Sequence, residues 1–163
     1  MNITRIPATL QDAELLYKMQ VEAFLPLYQK YQDHDTNPAA EPINKLIERL
    51  NQPQTDYYVI HMDGEPVGGV RVVRCEHNEN RISPLFIRPM YQNRGIAQQV
   101  IGMLFDSYPD AKLWTLETIK QEKGNCHLYE KCGFVRIPDK EMAINERLTL
   151  VFYVKKMTVS DKS

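Results

Sequence analysis

The sequence predicts an α/β domain of the α+β kind, with strands and helices interspersed along a 163-residue chain. Apolar residues recur at period two in some stretches and at helical spacing in others, giving the order β-α-α-β-β-β-α-β-α-β-β. Asp63-Gly64 joins two β-rich runs, a hairpin signal because both positions tolerate positive φ. A hydrophobic share of 43% over this length is enough for one core without disulfide staples, so residues 1–163 are expected to form a single domain.

A short strand opens the chain at residues 3–7. Thr9 and Asp12 then mark a helix start, where a hydroxyl accepts orphan amide hydrogens and an acid suits the first turn. Leu15, Leu16, Met19 and Ala23 give this helix one buried face, and Pro26 is expected to kink or end it. Residues 28–42, rich in Tyr, Asp, Asn and Pro, read as a surface loop. A helix at 42–50 buries Ile43, Leu46, Ile47 and Leu50, with Pro42 at an acceptable N-terminal position.

Strands follow at 57–62 and 66–75, and Gly68-Gly69 inside the second signals a bulge or a close backbone contact. A polar turn at 77–80 leads to a strand at 82–87. Pro84 has no amide hydrogen for a central ladder, which predicts a bulge there. Helices at 94–105 and 122–132 alternate with strands at 112–116, 134–137 and 147–155, and Gly133 ends the second of these helices.

A net charge of −1 and a pI near 6.4 argue against a nucleic-acid binder, which carries a basic stripe. No apolar run reaches the roughly 20 residues that cross a bilayer, and residues 1–10 lack a secretory pattern. Cys75, Cys126 and Cys132 form no C-x-x-C pair, so no metal site is expected and free thiols suit a reducing cytoplasm.

The chemistry concentrates at residues 85–97. A buried strand, Leu85, Phe86 and Ile87, ends at Pro89, and a short loop through Gln92, Asn93 and Arg94 opens an amphipathic helix at Gly95, Ile96 and Ala97. Amide hydrogens at a helix N-terminus lack intrahelical partners, and the dipole there is positive, so a phosphate is favoured. Gly95 holds no ligand off, Ala97 is nearly as small, and Arg94 adds positive charge. Alternatively, Gly95 only eases a tight strand-to-helix turn. There is no G-x-G-x-x-G, and no parallel βαβ unit is read, which sets dinucleotide binding aside.

A second polar pattern lies in the helix at 122–132. Asn125 and Tyr129 are four residues apart and share a face. A helical Tyr in isolation also fits a packing residue with a satisfied hydroxyl.

Taken in order, Gln92-x-x-Gly95-x-Ala97 and Asn125-x-x-x-Tyr129-x-Lys131-x-Gly133-Phe134 resemble the two motifs of the GCN5-related N-acetyltransferase (GNAT) superfamily. The resemblance is best over residues 82–137 and thin before Gly64. It implies the acyl-CoA N-acyltransferase fold, a mixed, mostly antiparallel sheet splayed between its fourth and fifth strands with helices on both faces. It also implies transfer of an acetyl group from acetyl-coenzyme A to an amine by direct attack in a ternary complex. The pantetheine arm is then expected along Leu85, Phe86 and Ile87, and the diphosphate on backbone amides from Gln92 through Asn93, Arg94, Gly95 and Ile96 to Ala97. Asn125 is expected on the pantetheine and Tyr129 near the thioester sulfur as the acid. A homodimer through the last strands would follow the same resemblance.

Many relatives carry a glutamate on the fourth strand, whereas residues 81–84 here are Arg, Ile, Ser and Pro. The remaining candidates for the base are Glu117 and Glu22, acting through water. Both also fit as surface carboxylates or substrate anchors, and a buried water chain is a further option. The acceptor, a small-molecule or peptide amine, is expected against residues 22–37, where Glu22, Tyr28 and Tyr31 would contact a cation. A solvated loop with its tyrosines packed on the core is the alternative. A coenzyme A-binding module without turnover, or an edge-paired dimer scaffold, are the competing readings of the whole chain.

Overall fold

The computed structural model describes residues 1–158; residues 159–163 of the expected domain lie outside the described residues. The main elements are β1 (Ile3–Pro7), α1 (Ala13–Tyr31), α2 (Ile43–Asn51), β2 (Thr55–Met62), β3 (Glu65–Arg74), β4 (Glu79–Ile87), α3 (Ile96–Ser107), β5 (Leu113–Ile119), α4 (Lys123–Lys131), β6 (Val135–Ala143) and β7 (Thr149–Lys156). They occur in the order read from the sequence. The strands form one seven-stranded sheet in the order β1-β2-β3-β4-β5-β7-β6. Every neighbouring pair is antiparallel except β4 and β5.

That parallel pair makes the sheet mixed, as the resemblance implies. The β4–α3–β5 segment is a parallel crossover unit, although no parallel unit is read from the sequence. The pairing is short, joining only Glu79, Asn80 and Arg81 to Leu113, Trp114 and Thr115. Burial alternates along β5, without the continuous apolar run that marks a strand buried on both faces in a parallel sheet, so nothing local signals its direction.

Side chains alternate between the faces of the sheet, and β2 and β4 send buried residues to both. On one face, Leu16 and Met19 of α1 and Leu46 of α2 pack with Tyr57, Val59 and Phe86. On the other, Val100, Ile101 and Leu104 of α3 cover Ile60, Val70, Trp114 and Tyr153. Helices therefore lie on both faces. Among the described residues, no helix is long and apolar enough to cross a membrane.

Asp63 and Gly64 both take positive φ, 51° and 87°, as their hairpin turn requires. The glycine pair in β3 serves a close approach to β4. A Cβ on Gly68 would collide with the Phe86 carbonyl oxygen, and one on Gly69 would stand 2.6 Å from the Phe86 ring.

Pro26 does not end α1; the helix continues to Tyr31. A proline removes one amide donor from the ladder, but tertiary contacts hold the final turn. Lys30 and Tyr31 both donate to the Glu122 carboxylate, and Asn145 donates to the Tyr31 carbonyl at 2.9 Å. Residues 28–31 accordingly belong to α1, while 32–42 is a mostly exposed loop, as expected. Tyr31, Asp33 and Asn37 are buried.

Candidate active site

The site begins where the sheet opens. β4 stays paired with β3 as far as Ile87, but its pairing with β5 stops at Arg81. Beyond that point the two strands diverge, and β4 backbone groups turned away from β3 have no strand partner. Ser83 and Pro84 together stand opposite the single residue Arg71 of β3, so β4 bulges where Pro84 predicted it. Arg71 pins the bulge by donating from Nη1 to the Ser83 carbonyl at 2.8 Å.

β4 then runs into a short 3₁₀ turn, Pro89–Tyr91, before α3 begins. Gln92 Nε2 donates to the Ile87 carbonyl at 2.9 Å and fixes the entry to the loop. Gly95 takes φ 80° at the N-cap, and a Cβ there would meet nothing within 4 Å. The conformation demands glycine, and the space over it is open. No side chain caps α3 and its first turn holds no acid. Its first backbone bond comes from Gln99 to Gly95, so the amides of Ile96, Ala97 and Gln98 are left for a ligand. Arg94 folds back on the loop instead, donating to the Met90 carbonyl at 3.2 Å and lying over the Tyr91 ring.

A cavity of about 490 Å³ lies over this turn, lined by Leu85, Phe86, Ile87, Gln92, Asn93, Gly95, Ile96, Ala97, Asn125 and Tyr129 among others. A second, of about 500 Å³, lies on the other side of the gap, lined by Asp33, Asn37, Glu41, Arg49, Arg71, Arg81, Ser83, Leu85, Glu117, Asn125 and Tyr129 among others. The two share Phe24, Leu27, Leu85, Asn125 and Tyr129. They are two arms of one cleft.

α4 brings Asn125 and Tyr129 to the junction. Gly133, at φ 95°, ends this helix, and the Phe134 amide closes back on the Tyr129 carbonyl at 3.0 Å. The Tyr129 ring packs against Phe134 and Tyr153. Neither the Tyr129 hydroxyl nor the Asn125 amide group bonds to any described residue, unlike a packing tyrosine with a satisfied hydroxyl. Burial, with smaller contributions from Cys132 and Cys126, pushes the Tyr129 hydroxyl up to about 12.

Of the expected cofactor-side residues, all except Arg94 line the first cavity. Glu117 lines the second and is paired with Arg81 across the β4–β5 opening. Glu22 lines neither; it holds Arg88 in an ion pair at 2.8 Å. Tyr28 and Tyr31 also line neither cavity. Tyr28 contacts His34 at 2.5 Å, and Tyr31 donates to Glu122.

The second arm contains residues that the sequence analysis did not single out. Glu41 and Arg49 form a bidentate pair at 2.5 and 3.0 Å, and Arg71 reaches in from β3. Arg71 had a signal in the sequence, a charged residue set between valines in the middle of a strand. Glu41 precedes a short amphipathic helix and Arg49 lies within it, and in the sequence both look like ordinary surface residues.

The family model described as acetyltransferase (GNAT) family matches residues 14–134. No curated protein matches the chain in sequence. Among solved structures, an acetyltransferase from Thermus thermophilus is 19% identical with a TM-score of 0.77, covering 96% of this chain and 98% of its own. The ribosomal-protein-S18-alanine N-acetyltransferase of Escherichia coli is 13% identical with a TM-score of 0.75, covering 97% and 96%. The spermidine N-acetyltransferase of Vibrio cholerae, in complex with CoA and spermine, is 17% identical with a TM-score of 0.74, covering 94% and 95%. At these identities the likeness is one of fold.

Proposed function

The chain belongs to the acetyltransferase (GNAT) family, and from that premise we propose that it moves an acetyl group from acetyl-coenzyme A to an amine held in the second arm of the cleft. The meeting of the two arms at Leu85, Asn125 and Tyr129 carries this reading, because a thioester in one arm and an amine in the other would come into contact only there. Bound acetyl-coenzyme A supplies an activated acyl group on a thiol leaving group. Its diphosphate fits the amides of Ile96, Ala97 and Gln98, and its pantetheine fits the open edge of β4 as an added strand.

The chain's own residues then have three tasks. A primary amine of pKa ~10 arrives protonated and must lose a proton before it attacks. Glu117 borders the acceptor arm and is our choice to receive that proton, through water. Glu22, engaged with Arg88, is better suited to tying α1 to the end of β4. An amide of β4 beyond the bulge is the donor we assign to the charge that builds on the carbonyl oxygen. Tyr129 serves the departing sulfur. With Tyr129 near 12 and a thiol near ~8.5, complete transfer of its proton would run uphill by about 5 kcal/mol. We therefore read Tyr129 as a hydrogen-bond donor to the sulfur, with the amine as the final source of the proton. Holding both reactants in one cleft contributes several kcal/mol by proximity, and no covalent enzyme intermediate is needed.

Thiol release from acetyl-coenzyme A across a panel of amines tests the reading. Amine-dependent release is expected. If coenzyme A raises the melting temperature and no amine gives release, the chain is a binding module and the enzyme reading is lost. The cysteines are free, Cys75 exposed, which fits a reducing cytoplasm. A homodimer would pair two copies along β6, whose side chains are nearly all exposed; sedimentation checks this.

A further inference from the structure

The ionisable groups that border the acceptor arm sort into neutral pairs and two exceptions. Glu41 is held by Arg49 and Gln20, and Glu117 by Arg81. Asp33, only 7% exposed, accepts from Thr36 and Asn37 and forms no ion pair among the described residues. Arg71, half-buried on β3, forms no ion pair among the described residues. It donates to the neutral oxygens of Thr55, Ser83 and Gln52. The cavity thus presents one uncompensated charge of each sign.

A guanidinium has five N–H donors, and these three bonds leave one free on each terminal nitrogen. A carboxylate offers two oxygens to such a pair. Tyr57 faces Arg71 in the β2–β3 register but does not line the cavity, so the guanidinium is the donor offered to the arm. Burial and the neighbouring Arg49 both disfavour the Arg71 charge, a cost that an incoming anion would relieve. Placement also fits. Arg71 bonds Ser83, and Leu85 at the junction of the two arms is two residues further, at most about 7 Å of extended chain.

Resting on the acetyltransferase reading, we propose that the acceptor is a small amine that also carries a carboxylate, an amino acid or a close analogue, with the carboxylate anchored by Arg71. Asp33 supplies the negative potential that draws in the ammonium end. A polyamine is disfavoured, because it brings several positive charges to an arm whose other acids are already paired.

The test compares free amino acids with their carboxamides, and with spermidine, in two readouts. Thiol release from acetyl-coenzyme A gives kcat/KM. Thermal stabilisation by the same compounds, without acetyl-coenzyme A, gives binding apart from turnover. At least one amino acid is expected to surpass its carboxamide by about 10- to 100-fold in either readout. Arg71→Gln should raise the KM or dissociation constant for that amino acid and bring it to within about 3-fold of its carboxamide, so that the preference for the acid is lost whatever the lost Ser83 bond costs both compounds alike. Arg71→Lys should recover part of the loss, since it keeps the charge and loses the fork. Unchanged stabilisation by coenzyme A in each variant shows an intact fold, and the wild-type comparison needs no variant. Carboxylate-dependent binding without any thiol release would sink the enzyme reading and leave this inference standing. Efficient acetylation of carboxamides or spermidine, with no preference for acids, would overturn the inference and leave the enzyme reading standing. No binding or turnover of any free amino acid would also overturn it.

Discussion

Asn125 and Tyr129 stand one turn apart on α4, and both border both arms of the cleft with their polar ends unbonded to any described residue. A side chain whose only role was to fill the core would not leave a hydroxyl without a partner at a cavity junction.

Replacing Tyr129 with Phe removes only the hydroxyl and keeps the ring contacts with Phe134 and Tyr153. The expected result is a fall in kcat of about 100-fold, with the affinity for acetyl-coenzyme A changed by less than about 3-fold. Steady-state kinetics together with calorimetric titration of the cofactor separates the two. A mutant with full turnover would remove Tyr129 from the reaction.

The same hydroxyl fixes a feature of the pH profile. It is raised by burial to about 12, so Tyr129 stays protonated throughout the working range. The rate should rise with pH as the amine acceptor loses its proton, and show no falling limb attributable to Tyr129 below pH ~10. A falling limb near pH 8 that vanishes in Tyr129→Phe would show that the hydroxyl ionises far more easily.

Gly95→Val tests the turn into α3. The φ of 80° disfavours a β-branched residue, at a cost of about 1–3 kcal/mol, and the new side chain would occupy the open space above the turn. A lower melting temperature with a retained fold is expected, along with loss of stabilisation by coenzyme A. Undiminished stabilisation would mean that the ligand does not approach there.

Stability should fall in alkali. Tyr57, Tyr108, Tyr129 and Tyr153 are all raised above the ordinary tyrosine value, in each case chiefly by burial. Above pH ~10 the unfolded chain releases these protons while the folded chain keeps them, so the unfolded state binds fewer protons and the unfolding free energy drops as pH rises. The contribution is complete below pH ~10 and declines above it. Urea unfolding at pH 8, 10 and 11 checks the sign, and a midpoint that stayed level would contradict it.

Much of the fold was legible because its signals are local. Asp63-Gly64 names its turn, Pro84 names its bulge, and Gly133 names the end of α4. The cavity proposed for the cofactor lies largely within residues 85–98 and α4, which is why a local motif points to it, although Ala23, Phe24, Pro26 and Leu27 of α1 also line it. What escaped depends on contacts between distant segments. Pro26 stays inside α1 because Glu122, nearly a hundred residues away, holds the last turn. The parallel direction of β5 rests on three residue pairs. The second arm draws Arg49 from α2, Arg71 from β3 and Glu117 from β5, and no spacing within any one element announces that they meet.

A crystal structure with bound coenzyme A would test the placement of the cofactor most directly. The diphosphate should accept hydrogen bonds from the amides of Ile96, Ala97 and Gln98, with pantetheine laid along Leu85 to Ile87 and its sulfur within reach of the Tyr129 hydroxyl. Coenzyme A seated elsewhere, with side chains filling the space over Gly95, would contradict that placement and the mechanism built on it.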